Sequence, residues 1–92
     1  VDILLEALNH PEAGIRECAI SALGKIQDVR VAPALIQMLR DLERIVRIQA
    51  IKSLGDLRDQ RALPALQEIT SDRADREMAA LAKQIIERIN SS

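Results

Sequence analysis

One stretch of this chain occurs twice, and that repetition limits what the chain can become. Residues 15–41, IRECAISALGKIQDVRVAPALIQMLRD, return 31 positions on as residues 46–72, VRIQAIKSLGDLRDQRALPALQEITSD. Ile15 matches Val46, Ala19 matches Ala50, and Leu23-Gly24 matches Leu54-Gly55. Asp28 matches Asp59, and Pro33-Ala34-Leu35 matches Pro64-Ala65-Leu66. A period of a few tens of residues belongs to solenoids and propellers. The spacing inside each copy selects helices. Ile15, Ala19, Ala22, Leu23 and Ile26 form one stripe of an α-helix, and Leu35, Met38 and Leu39 form a shorter one after a break at 27–30. Each copy therefore reads as two antiparallel helices joined by a turn. One such hairpin cannot bury both of its apolar sides, so the hairpins must stack.

The register extends in both directions. Leu4, Ala7 and Leu8 lie 31 before Leu35, Met38 and Leu39, so residues 1–11 are the second half of a unit. Residues 12–41 and 43–72 are whole units, and 73–92 is a terminal helix. The expected fold is all-α: an α-solenoid of about three hairpins, with helices near 1–8, 12–26, 31–40, 43–56, 61–70 and 73–90. In the last helix Met78, Leu81, Ala82, Ile85, Ile86 and Ile89 line one side, and charged residues cover the other. The first helix is the opposite: Val1, Ile3, Leu4, Leu5, Ala7 and Leu8 leave it apolar almost all round. Ile3 and Leu5 flank Leu4 on a helix that the next one can cover on one side only, which marks a self-association edge and a homodimer through this helix. A chain that opens on Val1, half-way through a unit, reads as a piece of a longer one.

Local signals complete the outline. Gly24 and Gly55 are either C-terminal caps or points of close helix contact. Asp28 and Asp59 are turn or N-cap residues, and Pro33 and Pro64 fall in or near the first turn of a helix, where a missing donor costs little. Ser21 and Ser53 are read as occupying the same helical position in the two copies, and so as packing residues.

These residues resemble HEAT repeats, in the short form also found in phycobilisome lyases. The matching pattern is Ile15-Arg16, Ala19, Ala22-Leu23-Gly24, Asp28 and Pro33-Ala34-Leu35, and again Val46-Arg47, Ala50, Leu54-Gly55, Asp59 and Pro64-Ala65-Leu66. The resemblance implies a right-handed superhelix whose second helices line a concave face that holds a protein partner. On the period, Glu6, Gln37 and Glu68 fall in one polar row of that face, and Asn9, Arg40 and Ser71 in another. Three hairpin layers at about 10 Å each span about 30 Å, enough for roughly 800 Å² per partner. The resemblance also implies that an Asp and an Arg six apart, as in Asp41 and Arg47, link neighbouring units. His10 replaces that Asp in the first turn and, by strict count, Met78 replaces the Arg in the last, so the ladder is broken. An accessory role to a lyase acting on a pigment protein is a further reading that this repeat type permits. The HEAT-like deoxyhypusine hydroxylase uses paired His-Glu motifs. Here His10 is followed by Pro11, and that activity is not expected.

The rest of the composition points away from chemistry. The chain has one His and one Cys, too few for a zinc site. Its three glycines are single and apart, so no phosphate loop exists. Cys18, between apolar neighbours, is read as a small core residue; a lone Cys forms no internal disulfide and fits a reducing, cytoplasmic setting. No catalytic residue, metal or cofactor is expected. Thirteen Lys and Arg against fourteen Asp and Glu give a net charge of −1, and Phe, Tyr and Trp are absent. That removes the aromatic platforms of single-strand binding. It leaves Arg30, Arg58 and Arg61 as the one basic edge that duplex DNA could use. No run approaches the roughly 18 apolar residues of a spanning helix. The function read from the sequence is a non-catalytic protein-interaction scaffold.

Overall fold

The computed structural model describes residues 2–91, with side chains from Ile3 to Ser91. Val1, counted above in the first apolar stripe, and Ser92 lie outside the described residues. Among the described residues six α-helices follow one another: α1 Asp2–Ala7, α2 Ala13–Ile26, α3 Ala32–Met38, α4 Arg44–Leu57, α5 Leu63–Thr70 and α6 Arg76–Asn90. Single 3-10 turns, Val29–Val31 and Gln60–Ala62, lead into α3 and α5. No strand occurs among the described residues. The long helices α2, α4 and α6 stack side by side, and the short ones pack on them: α1 on α2, α3 on α4, α5 on α6. The result is an α-solenoid of stacked helical hairpins, a slab 32 × 29 × 15 Å in extent. No described helix is long and apolar enough to cross a membrane.

The turns explain where the helices begin and end. Asp28 and Asp59 each accept the backbone N–H two residues on, at 3.0 and 2.9 Å, and so open the 3-10 turns. Pro33 and Pro64 follow in the first turn of α3 and α5. The last helix starts three residues later than the spacing predicts. Asp72 accepts the Ala74 N–H at 2.8 Å and Asp75 accepts the Met78 N–H at 3.0 Å. Two Asp-led turns in succession hold 72–75 out of the helix. Gly24 and Gly55 are not caps, because no glycine has a positive φ. The left-handed positions belong to Gln27, φ 63°, and Arg58, φ 54°. Such a conformation costs a side-chain-bearing residue roughly 1–2 kcal/mol. Gln27 offsets it by donating from Nε2 to the carbonyls of Gly24 and Asp56, both at 3.0 Å, which ties one unit to the next. The glycines serve close contact instead. A Cβ on Gly24 would meet the Ser53 Cβ at 2.8 Å, and one on Gly55 would meet Ile85 Cδ1 at 2.7 Å.

The core runs through the slab as Ile20, Leu23, Leu35, Val46, Ile51, Leu54, Leu66, Ala82 and Ile89. α4 is enclosed on both sides, so Val46 and Leu57 are 0% and 7% exposed. Their counterparts on α2, Ile15 and Ile26, are 39% and 45% exposed. The sequence stripe is the same in both helices, but α2 has a long-helix neighbour on one side only. For the same reason Cys18, expected in the core, is exposed. Ser53 aligns with Ala22 rather than with Ser21; it is fully buried and donates to the Ile20 carbonyl at 3.0 Å, while Ser21 is half-buried. On α1, Ile3 is 81% exposed. Leu5, expected to be bare beside it, is half-buried and packs against the core.

Counting from the helix caps Glu12, Glu43 and Asp75, equivalent places hold Ile20, Ile51 and Lys83, and again Gly24, Gly55 and Glu87. Lys83 and Glu87 are exposed. α6 therefore presents charge where the inner helices present the surface that receives a neighbour.

Candidate partner-binding site

Arginines at the start of the long helices lock the turns. A long side chain there points back toward the turn it has just left. Arg16 Nη1 donates to the carbonyls of His10 and Pro11, at 2.7 and 3.0 Å. Its Nε and Nη2 reach both carboxylate oxygens of Asp41, in the turn that ends the same unit, at 2.9 and 3.2 Å. Arg47 likewise closes the Asp41 carbonyl at 2.7 Å. The expected link between Asp41 and Arg47 is thus differently built: the Asp41 carboxylate pairs with the arginine at the start of its own unit, and Arg47 takes the backbone. Burial pushes the Asp41 carboxyl up, but Arg16 and the Glu43 N–H outweigh it and hold it below its ordinary value. His10 fills the same place through Nδ1, which accepts the Glu12 N–H at 3.0 Å. Arg44 spans to Asp75 at 2.6 and 3.1 Å and, with the Met78 N–H, lowers that carboxyl to about 2. These groups are structural mortar, and they set the spacing of the short helices.

That spacing leaves a groove of about 310 Å³ between α3 and α5. Ile36, Leu39, Ala65 and Ile69 floor it; the exposed Gln37, Arg40 and Glu68 edge it. Three of the six residues named from the sequence therefore come together, with opposite charges on the two walls. Glu6 and Asn9 are exposed on and just after α1, outside this groove. Ser71 lines a second recess, about 470 Å³, between the end of α5 and the start of α6. The groove floor escaped the sequence reading. Its signal was Ile36, an apolar residue beside the stripe of Leu35, Met38 and Leu39.

Two of the three arginines of the basic edge are internally paired, and Arg58 is exposed. Arg30 lies on the Asp28 carboxylate at 2.7 Å, and Arg61 on Asp59 at 2.6 Å with a further bond of 2.6 Å to the Val29 carbonyl. Through hydrogen bonds, Arg30 lowers the Asp28 carboxyl to about 2, and Arg61 lowers that of Asp59. No group of three or more His, Cys, Asp or Glu among the described residues is placed to hold a metal ion.

Residues 1–86 match the family model for HEAT repeats. No curated protein matches the chain. Among solved structures, human deoxyhypusine hydroxylase in complex with glycerol is similar, with a TM-score of 0.83 and 28% identity over 96% of this chain. The chain spans 31% of that enzyme's length.

Proposed function

This chain belongs to the HEAT repeat family, and from that membership we propose that it is a non-catalytic scaffold that binds a protein partner on the α1–α3–α5 face. The groove between α3 and α5 carries this reading, because it joins an apolar floor to a polar edge of both signs. An interface needs that combination: apolar burial supplies affinity, and opposed charges fix the register. Gln37, Arg40 and Glu68 make the central contacts, with Glu6, Asn9 and Ser71 at the ends of the face. The slab's 32 Å length matches a standard interface at the lower end of its range. A cytoplasmic setting fits the unpaired, exposed Cys18.

A lyase-type accessory role would need a pigment-stacking aromatic, and the sequence has none. Duplex binding would need a free basic edge, whereas Arg30 and Arg61 are engaged by carboxylates. The single His supplies no His-Glu pair for a hydroxylase-like centre. The test is capture of a partner by the wild-type chain and by the double variant Gln37→Ala, Arg40→Ala. Loss of capture with an unchanged melting temperature supports the proposal; equal capture by both ends it.

Self-association belongs to the same reading. Ile3, Ile15 and Ile26 are exposed on the N-terminal side of the stack, and a second copy is the occupant that would cover them.

A further inference from the structure

We infer that the recess between the end of α5 and the start of α6 is a second binding site, selective for an acidic segment of a protein. Its lining includes Ser71, Asp72, Arg73, Arg76, Ala79 and Lys83. In all three long helices, the residue whose N–H bonds the cap carbonyl marks one equivalent place: Arg16 on Glu12, Arg47 on Glu43, Ala79 on Asp75. In the first two units an arginine fills that place and closes the turn beneath it. In the third, alanine leaves the turn open, and the recess forms there.

Three cations stand around the opening. Among the described residues none of Arg73, Arg76 and Lys83 pairs with a carboxylate. The contrast with the preceding unit is direct. Arg44 opens α4 and has Asp75 as its partner at 2.6 Å; Arg76 opens α6 in the same way and has no counterpart. Lys83 stands where Ile20 and Ile51 are buried. Two of these cations also flank the start of a fifteen-residue helix, whose first backbone N–H groups already favour negative charge. Cations there are unfavourable until an anion arrives. Arg73 and Arg76 offer forked donors that fit carboxylates.

The surroundings select the kind of anion. Asp72 is in the lining, and Asp75 and Glu77 flank it. A continuous phosphate backbone running through the recess would meet these carboxylates, and the chain as a whole carries net charge −1. A short acidic stretch that places one or two carboxylates on the cations avoids them.

The probe is a hexaglutamate peptide, titrated into the 92-residue chain at low ionic strength and followed by backbone amide shifts, with a duplex DNA oligonucleotide as the second arm. The expected result is binding centred on residues 70–83, weakened at least about tenfold by the double variant Arg73→Glu, Arg76→Glu. Lys83→Gln weakens it less, and added salt weakens it throughout. Circular dichroism checks that the variants stay folded, and Lys83→Gln alone serves if the double variant does not. Peptide binding that ignores these substitutions overturns the inference, as does duplex DNA binding as tightly as the peptide, or no peptide binding.

Discussion

Gly24 and Ser53 touch so closely that a single added methyl on Gly24 would lie 2.8 Å from the Ser53 Cβ and 3.1 Å from its Cα. The obstacle is partly backbone, so it cannot swing away. Gly24→Ala is therefore expected to destabilise the chain by about 1–3 kcal/mol, the range for overpacking a closed interior. Gly55→Ala meets the far end of the Ile85 side chain, which can move, and is expected to cost less. Thermal or urea unfolding of both variants checks the order. Adding Ser53→Gly to Gly24→Ala is expected to recover part of the loss. Equal costs for the two alanines would show that the helices re-space freely.

Arg16 is predicted to be the most sensitive of the turn arginines. It serves two carbonyls of its own turn and both oxygens of Asp41, whose side chain is 8% exposed. Arg16→Ala leaves that carboxylate without its charged partner and is expected to cost about 2–3 kcal/mol, as for hydrogen bonds to charged groups. Arg47→Ala loses the Asp41 carbonyl bond and is expected to cost less. Chemical denaturation of the two variants decides the ranking.

Acid should loosen the stack in a defined window. The Asp28 and Asp75 carboxyls sit at about 2 in the folded chain against 3.8 without partners. A depressed carboxyl contributes stability above the unfolded value and loses it as pH falls toward the folded one. The melting temperature is expected to be level from neutral pH down to about 5 and to fall between about 4 and 2. Asp75→Asn lowers the melting temperature at neutral pH and narrows its gap to wild type at the acid end. A gap that does not change with pH would remove Asp75 from the account.

Self-association is expected to depend on α2 as well as α1. Sedimentation of the wild-type chain across micromolar concentrations should give a concentration-dependent dimer. The double variant Ile15→Glu, Ile26→Glu should remain monomeric, and Ile3→Glu should shift the equilibrium part of the way. Leu5→Glu tests something else: its half-buried side chain packs on the core, so the change lowers stability too. A wild-type monomer at every concentration contradicts the expectation.

The sequence carried the solenoid because its period and stripes are local and repeated. The same period places Gln37 and Glu68 in one polar row and Arg40 in another. What escaped depends on neighbours. Ile15 and Val46 occupy the same place in the same pattern, yet one is exposed and the other buried, because only α4 is flanked on both sides. Asp41 pairs with Arg16, 25 residues earlier, and no spacing along one helix reveals a bond across the hairpin. The late start of α6 rests on two competing caps, Asp72 and Asp75, where either alone would satisfy the pattern. Apolar neighbours suggest an interior place for Cys18, but Ala19 and Ile20 are the ones that turn into the core, and Cys18 itself is exposed.

Lys83 and Glu87 on α6 give the molecule a valence. An ordered fibre of such slabs would require each copy to offer a donor end and an acceptor end, so that every addition regenerates the site it consumed. Here the receiving surface of the last helix carries two charges, one of them where Gly24 and Gly55 permit close approach. Seating an apolar helix on it would strip water from a lysine and a glutamate with no partner to compensate. Growth through that side of α6 is disfavoured. If copies meet as proposed, through the exposed Ile3, Ile15 and Ile26, the first encounter uses up that side of both.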